Sequence, residues 1–217
     1  MGAPASGTRR AREMAEKPAW LKPHGRPWTR GPGRVVFENP WIEVTEFDAV
    51  APTGRPAHYG LVGFKNHAIA VLPIHDDGCV TLVGQNRLPF ADYSWEIPEG
   101  GGPLAVDPLD GARRELAEET GLEADHWREV LQAQLSNSVT DELAFGFIAT
   151  GLRQAAGGHQ MDATEDLAIA RPPFREALRA ALDGHLKDVL TLAMLLRAYH
   201  MAREGALPAA LARAMLG

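Results

Sequence analysis

Arg114, Glu115, Glu118 and Glu119 form a cluster whose residue types and spacing could carry out chemistry. In a helix, side chains three and four positions apart share a flank, so Glu115 gathers with Glu118 and Glu119 over two turns. Like charges held that close cost about a few tenths of a kcal/mol per pair. Two readings accommodate them. In one, the segment is a solvated acidic helix on which Arg114 pairs with Glu118 one turn on. In the other, three hard oxygen ligands on one face hold a divalent cation, Mg2+ or Mn2+.

The helix that must carry these groups has start and stop signals of its own. Asp107 suits the N-cap, Pro108 the first helical position, and Gly121 the left-handed residue that ends the helix. Leu109, Ala112 and Leu116 give it an apolar stripe, and a glycine-rich turn leads into it. Ahead of it, residues 34–39, 41–50 and 57–64 alternate or run apolar and predict a small antiparallel sheet. Residues 67–73 and 79–84 read as central strands joined by a hairpin turn at Asp76-Asp77-Gly78. Beyond the helix, 130–135, 143–150 and 167–170 predict strands. Stripes at Phe174, Ala177, Leu178, Ala181 and Leu182, then at Leu186, Val189, Leu190, Ala193, Leu196 and Tyr199, predict two helices. Helices flanking strands in this way imply an α/β chain folded as a three-layer α/β/α sandwich.

Gly100 together with the run Arg114-Glu115-Leu116-Ala117-Glu118-Glu119-Thr120-Gly121-Leu122 resembles the box of the Nudix hydrolases. That box reads Gly, five residues, Glu, seven residues, then Arg-Glu-aliphatic-any-Glu-Glu-any-Gly-aliphatic. The middle Glu is replaced here by Val106, and Pro108 keeps the usual helix start in register. The resemblance implies a Nudix-type α/β/α sandwich with a mixed central sheet. It also implies metal-dependent hydrolysis of a pyrophosphate bond. The N-terminal small sheet, and Asp183-Gly184-His185-Leu186-Lys187-Asp188 before a long apolar helix, are similar to the members that cleave ADP-ribose and other nucleoside diphosphate sugars. In those members the small sheet helps build a homodimer. The proline that ADP-ribose members tend to carry beyond the box is absent, and Asn137 and Ser138 stand there.

Carried onto this chain, the resemblance makes Glu115, Glu118 and Glu119 the metal ligands, adds the main-chain carbonyl of Glu99, and has Arg114 position the helix carboxylates. The general base is expected either on the loop 151–164 and its edge, where Asp162 and Glu165 are the nearest carboxylates, or within the helix itself. Arg87 is expected to meet phosphate or to be a surface arginine. Glu96 is expected to help the metal shell or to hydrogen-bond its turn. Asp141 and Glu142 either reach substrate or metal or form an exposed turn. Trp41, Phe47 and Tyr59 could stack on a base, and the core is their expected place. A reading from another class is a ligand sensor that kept the fold and lost turnover, which Val106 favours.

Composition narrows the field. A chain of 217 residues with 45% hydrophobic content has room for one domain with appendages. Its net charge of −6 and lack of long basic runs argue against nucleic-acid binding and leave a small phosphorylated molecule as the expected partner. Cys79 stands alone, which excludes a disulfide framework and predicts an inert thiol buried in a strand. No apolar run reaches the roughly 20 residues a bilayer requires, and no secretory segment follows the N-terminus, so the expectation is a cytoplasmic protein without membrane contact. The expected organisation is a flexible arm over 1–33 with Trp20 and Trp28 as docking anchors, the small sheet over 34–64, the hydrolase domain over 65–204 and a tail over 205–217.

Overall fold

The computed structural model describes residues 17–156 and 166–217. Two compact units are distinguished, Met1–Gly33 with Phe47–Tyr59, and Arg34–Glu46 with Gly60–Gly217. The first four strands are β1 (Thr29–Arg30), β2 (Arg34–Glu38), β3 (Ile42–Val50) and β4 (Pro56–Phe64). β3 pairs antiparallel with β1 within the first unit and with β2 within the second.

Within the first unit, Thr29 and Arg30 pair antiparallel with Val50 and Ala49. Trp28 meets Tyr59 edge-on at 5.5 Å, and the Arg30 guanidinium lies 4.7 Å from the centre of the Phe47 ring. Trp28 and Trp20 are both exposed, at 50% and 79%, and Trp28 has this one ring contact. Phe47 and Tyr59 are half-buried, outside the hydrophobic core. In the second unit Trp41 is 65% exposed, which corrects the expectation of a core residue.

The second unit continues with β5 (Asn66–Pro73), β6 (Leu82–Arg87), β7 (Asp92–Glu96), β8 (Glu99–Pro103), α1 (Pro108–Thr120), β9 (Leu122–Gln134), β10 (Leu143–Gln154) and β11 (Ala168–Ala170). It ends in α2 (Phe174–Leu182), α3 (Val189–Arg203) and α4 (Ala209–Leu216). The principal sheet has the order β8-β5-β10-β9 and is mixed, because β5 and β10 run parallel while the other pairs are antiparallel. A second sheet has the order β11-β6-β7.

Period-two alternation makes the principal sheet two-faced. Ile69 and Val71 of β5 and Phe147 and Ala149 of β10 pack with Ala112 and Leu116 of α1. Their neighbours Ala70, Leu72, Ala144 and Ile148 pack with Phe174, Leu190, Met194 and Leu195 on the other side. Burial on both faces explains the unbroken apolar run of β5. It also makes the α/β/α sandwich.

Three segments depart from the sequence pattern. The Asp76-Asp77-Gly78 turn forms, with His75 N–H donating to Cys79 O, but β6 leaves for the other sheet after a single bridge between Ile74 and Val80. Both edges of β5 are already taken, by β8 and β10. Cys79 is therefore a half-buried bridge residue outside any strand, and its thiol is pushed up chiefly by burial. The glycine-rich segment expected as a turn is the strand β8, and β7 precedes it. Residues 205–217 include α4, which buries Leu211, Ala212 and Met215 in the same core as α2 and α3. Among the described residues, no helix is long and apolar enough to cross a membrane.

Gly78 shows how α4 is held. It takes a φ of +79°, and a Cβ there would lie 2.3 Å from the carbonyl carbon and oxygen of Ala214. Gly184 has a similar φ of +81° and open space around it. Gly184→Ala is expected to cost only the left-handed strain, about 1 kcal/mol. Gly78→Ala adds overpacking against helix backbone and should cost about 3 kcal/mol. Urea denaturation of the two variants measures the difference, and equal losses would show that α4 does not press on this turn.

Candidate active site

α1 forms where its end signals place it. The Asp107 side chain accepts from Leu109 N–H at 3.1 Å, and Gly121, at φ 64°, donates its N–H to Ala117 O. Burying Ala112 and Leu116 against the sheet fixes the rotation of the helix, and that rotation turns Glu115 and Glu119 inward, where they are 6% and 3% exposed. Glu118 stays at the rim, its side chain 37% exposed.

Two backbone features of β8 receive the inward carboxyls. Gly100 has no side chain, and a Cβ there would lie 2.3–2.4 Å from the carboxyl atoms of Glu115, so this carboxyl packs directly against the strand. One residue earlier, Glu99 N–H donates to Glu119 Oε2 at 3.0 Å. Arg114 binds the assembly from outside. Its Nη1 donates to Glu118 Oε2 at 2.6 Å, and its Nη2 to Glu115 Oε1 at 2.5 Å and to Gly101 O at 2.7 Å. The expected pairing of Arg114 with Glu118 is present, and Glu115 shares it.

Next to this cluster lies a second one. Arg87, at the end of β6, donates through Nε to Glu96 Oε1 at 3.0 Å and to Oε2 at 3.1 Å, and through Nη2 to Glu99 Oε1 at 2.9 Å. The Glu96 side chain is buried, so the ion pair works at reduced screening. Burial, with repulsion from Asp188 and Glu96, pushes the Glu99 carboxyl well above the usual carboxylate range, and Arg87 offsets only part of this. Glu99 Oε2 is buried without a hydrogen-bond partner. A pocket of about 610 Å³ opens beside these groups, lined among others by Arg87, Phe90, Tyr93, Glu99 and Lys187.

The structure joins Arg87, Glu96, Glu99 and Glu119 in one bonded set and Arg114, Glu115 and Glu118 in another, both along β8, and Asp141 bonds elsewhere. Asp141 Oδ1 accepts from Phe64 N–H at 2.9 Å, beside a parallel bridge between Val62 and Thr140, so this residue ties the loop before β10 to β4. Glu142 is half-buried, and burial followed by the Asp141 charge raises its pKa. Asp162 and Glu165 lie outside the described residues. Val106 is 43% exposed in the turn ahead of α1, with its N–H donating to Pro103 O.

Asp188 and Lys187 entered the sequence reading only within the 183–188 pattern and not as site residues. Asp188 caps α3, its Oδ2 accepting from Thr191 N–H at 2.6 Å, while Thr191 Oγ1 accepts from Ile97 N–H. A capping residue three positions before Thr191 was the available signal.

All-oxygen donors, two of them buried carboxyls, suit a hard divalent cation in kind. The orphaned Glu99 Oε2 shows that the polar atoms here are not all satisfied within the chain. Among the described residues, however, no three His, Cys, Asp or Glu side chains already converge on one point. Arg114 holds both Glu115 and Glu118.

Known proteins match this arrangement. The family model described as the NUDIX domain matches residues 65–190. The chain is 30% identical over 139 residues to an ADP-ribose pyrophosphatase of Mycobacterium tuberculosis, an alignment covering 64% of this chain and 67% of that protein. It is 27% identical over 156 residues to an ADP-ribose pyrophosphatase of Bacillus subtilis, covering 72% and 84%. A solved structure described as an ADP compounds hydrolase superposes with a TM-score of 0.75 at 18% identity, covering 86% of this chain and all of that one, a likeness of fold. With the family model spanning more than half of the chain and the box helix folded against β8, the protein belongs to the Nudix hydrolase family.

Proposed function

We propose that the chain hydrolyses the pyrophosphate bond of a nucleoside diphosphate sugar, ADP-ribose first among them, to a nucleoside monophosphate and a sugar phosphate. The observation that carries this reading is the burial of Glu115 and Glu119 against the backbone of β8, beside a pocket large enough for such a molecule. The two similar proteins named as ADP-ribose pyrophosphatases support the choice of substrate.

A pyrophosphate repels an incoming hydroxide, so the site must neutralise phosphate charge and aim a water. Mg2+ or Mn2+ held by Glu115, Glu118, Glu119 and the Glu99 carbonyl would supply that neutralisation and lower the pKa of a bound water. Arg114 would hold the carboxyls in register, and Arg87, fixed by Glu96 and Glu99, would meet a phosphate oxygen. The proton lost by the attacking water passes to a carboxyl, within α1 or on Asp162 or Glu165. Water adds to one phosphorus, and the bridging oxygen leaves with the other phosphate. Asp141 acts by holding its loop.

We place the protein in the cytoplasm as a homodimer. Val35, Val36, Phe37 and Trp41 are all more than 40% exposed on and beside β2, an apolar face that a second copy would cover. A ligand sensor without turnover is the second reading, favoured by Val106 and by the engagement of Glu115 and Glu118 with Arg114.

Phosphate release from ADP-ribose, GDP-mannose and UDP-glucose, measured with a coupled phosphatase and Mg2+, separates the readings. Turnover of at least one substrate is expected, reduced about 100-fold or more in Glu119→Gln. Tight binding with no turnover across the panel would establish the sensor. A second variant tests positioning. Arg114→Met should lower kcat about 10–100-fold, as loss of a ligand-orienting group does. Its melting temperature should fall as well, because the buried carboxyl of Glu115 would lose its cation. Unchanged kcat would remove Arg114 from the mechanism.

A further inference from the structure

Glu99 faces two ways. Its backbone N–H is spent on Glu119 of the helix cluster, while its side chain, only 14% exposed, lines the pocket with Arg87, Ser94, Tyr93 and Lys187. One carboxyl oxygen is held by Arg87, and the other is buried without a partner. An unsatisfied buried oxygen is costly unless something donates to it. Nothing in the Arg87–Glu96 network requires Glu99 to provide that second oxygen, because Glu96 already accepts from both Nε and Nη2 of the same guanidinium. Glu99 thus brings to the pocket wall a carboxyl with one oxygen that no group of the chain satisfies.

The character of the wall points to the kind of group that enters. Next to β8 it is charged, with Arg87, Glu96 and Glu99 on one side and Lys187 and Asp188 on the other. The flat apolar surfaces that would stack a base, Phe90 at 82% and Tyr93 at 45% exposed, are more open to solvent than Arg87, Glu96 and Glu99. A charged wall with a free acceptor suits vicinal hydroxyls, which donate to carboxyls and accept from ammonium and guanidinium groups.

We propose that the Glu99 side chain is a specificity-determining residue, and that the pocket it lines seats the hydroxyl-rich sugar of the nucleoside diphosphate sugar. The assignment rests on the pyrophosphate reading above for the identity of the ligand. It is tested by binding and does not require turnover.

The probes are α,β-methylene-ADP-ribose, which cannot be cleaved at the bridging position, and the β-methyl ester of α,β-methylene-ADP, which has the same charge and no second ribose. Calorimetry on the full chain in Mg2+ gives the ratio of their dissociation constants. The wild type is expected to favour the ribose-bearing probe about tenfold, the scale of one hydrogen bond. Glu99→Ala should reduce that preference to within about twofold, and Glu99→Gln, which keeps an accepting oxygen, should retain part of it. Ser94→Leu fills the pocket from β7 without removing any side chain of the Arg87–Glu96–Glu99 network, and it should also abolish the preference. No preference in the wild type overturns the proposal, as does a preference that survives Glu99→Ala. Loss in Glu99→Ala with full retention in Ser94→Leu also overturns it, because Glu99 would then act through Arg87 and not in the pocket. A ribose preference without turnover of any substrate would remove the hydrolase reading and leave the sugar pocket standing.

Discussion

Two carboxyl groups of α1 are pressed against the backbone of β8, and much of the second unit is arranged to make that tolerable. Gly100 lets Glu115 in because no other residue type would leave space for its carboxyl. Glu119 is admitted because the N–H of Glu99 is turned towards it. Arg114 then spans Glu115, Glu118 and the carbonyl of Gly101, so that charge, helix and strand are tied in one place. Uncompensated, a buried carboxylate would neutralise itself by taking a proton, and the acidic cluster would be lost as a charged site. β8 can serve as the receiving surface only because it is paired with β5, which is held from both faces of the sheet.

The Arg87 cluster answers the same difficulty with a different stoichiometry. One guanidinium faces two carboxyls, Glu96 and Glu99, with Asp188 close enough to be felt. The bidentate geometry favours Glu96, so the deficit falls on Glu99, whose carboxyl is driven upward. Lys187, across the pocket, does not make up the difference, because its ammonium pairs with Asp92 at 3.0 Å.

Sequence pattern revealed α1 well because every signal for it is local. Asp107, Pro108, Gly121 and the Leu116 stripe lie within one short segment, and each does in the structure what its chemistry suggests. The apolar run of β5 was legible for the same reason. β8 was not, since Glu-Gly-Gly-Gly-Pro reads as a turn when glycine is taken as a mark of flexibility. There the glycines answer a demand for closeness, with Glu115 against Gly100 and Ile69 against Gly102, and that demand is visible only once distant segments meet. The pocket was hidden likewise, because its walls come from Arg87–Glu99 and from His185–Val189, far apart along the chain. Trp41 misled because hydrophobicity says that a side chain seeks cover without saying where it finds it. Asp141 was legible as a turn carboxylate, and its bond to Phe64 N–H depends on a pairing that no local pattern encodes.

The parallel pairing of β5 with β10 bears on how the molecule reaches this state. Ala68 is matched with Ala144 and Leu72 with Ile148, so the centre of the sheet joins segments separated by all of β6 to β9. Closing so long a loop is entropically slow, while α1 and β8 are neighbours in sequence and can meet early. By loop length, contacts between α1 and β8 are expected to form before those that bury α1 against Phe147 and Ala149. During that interval the apolar strand β5 has one open edge, which makes the same topology that seals the finished site the period of greatest exposure to misassociation.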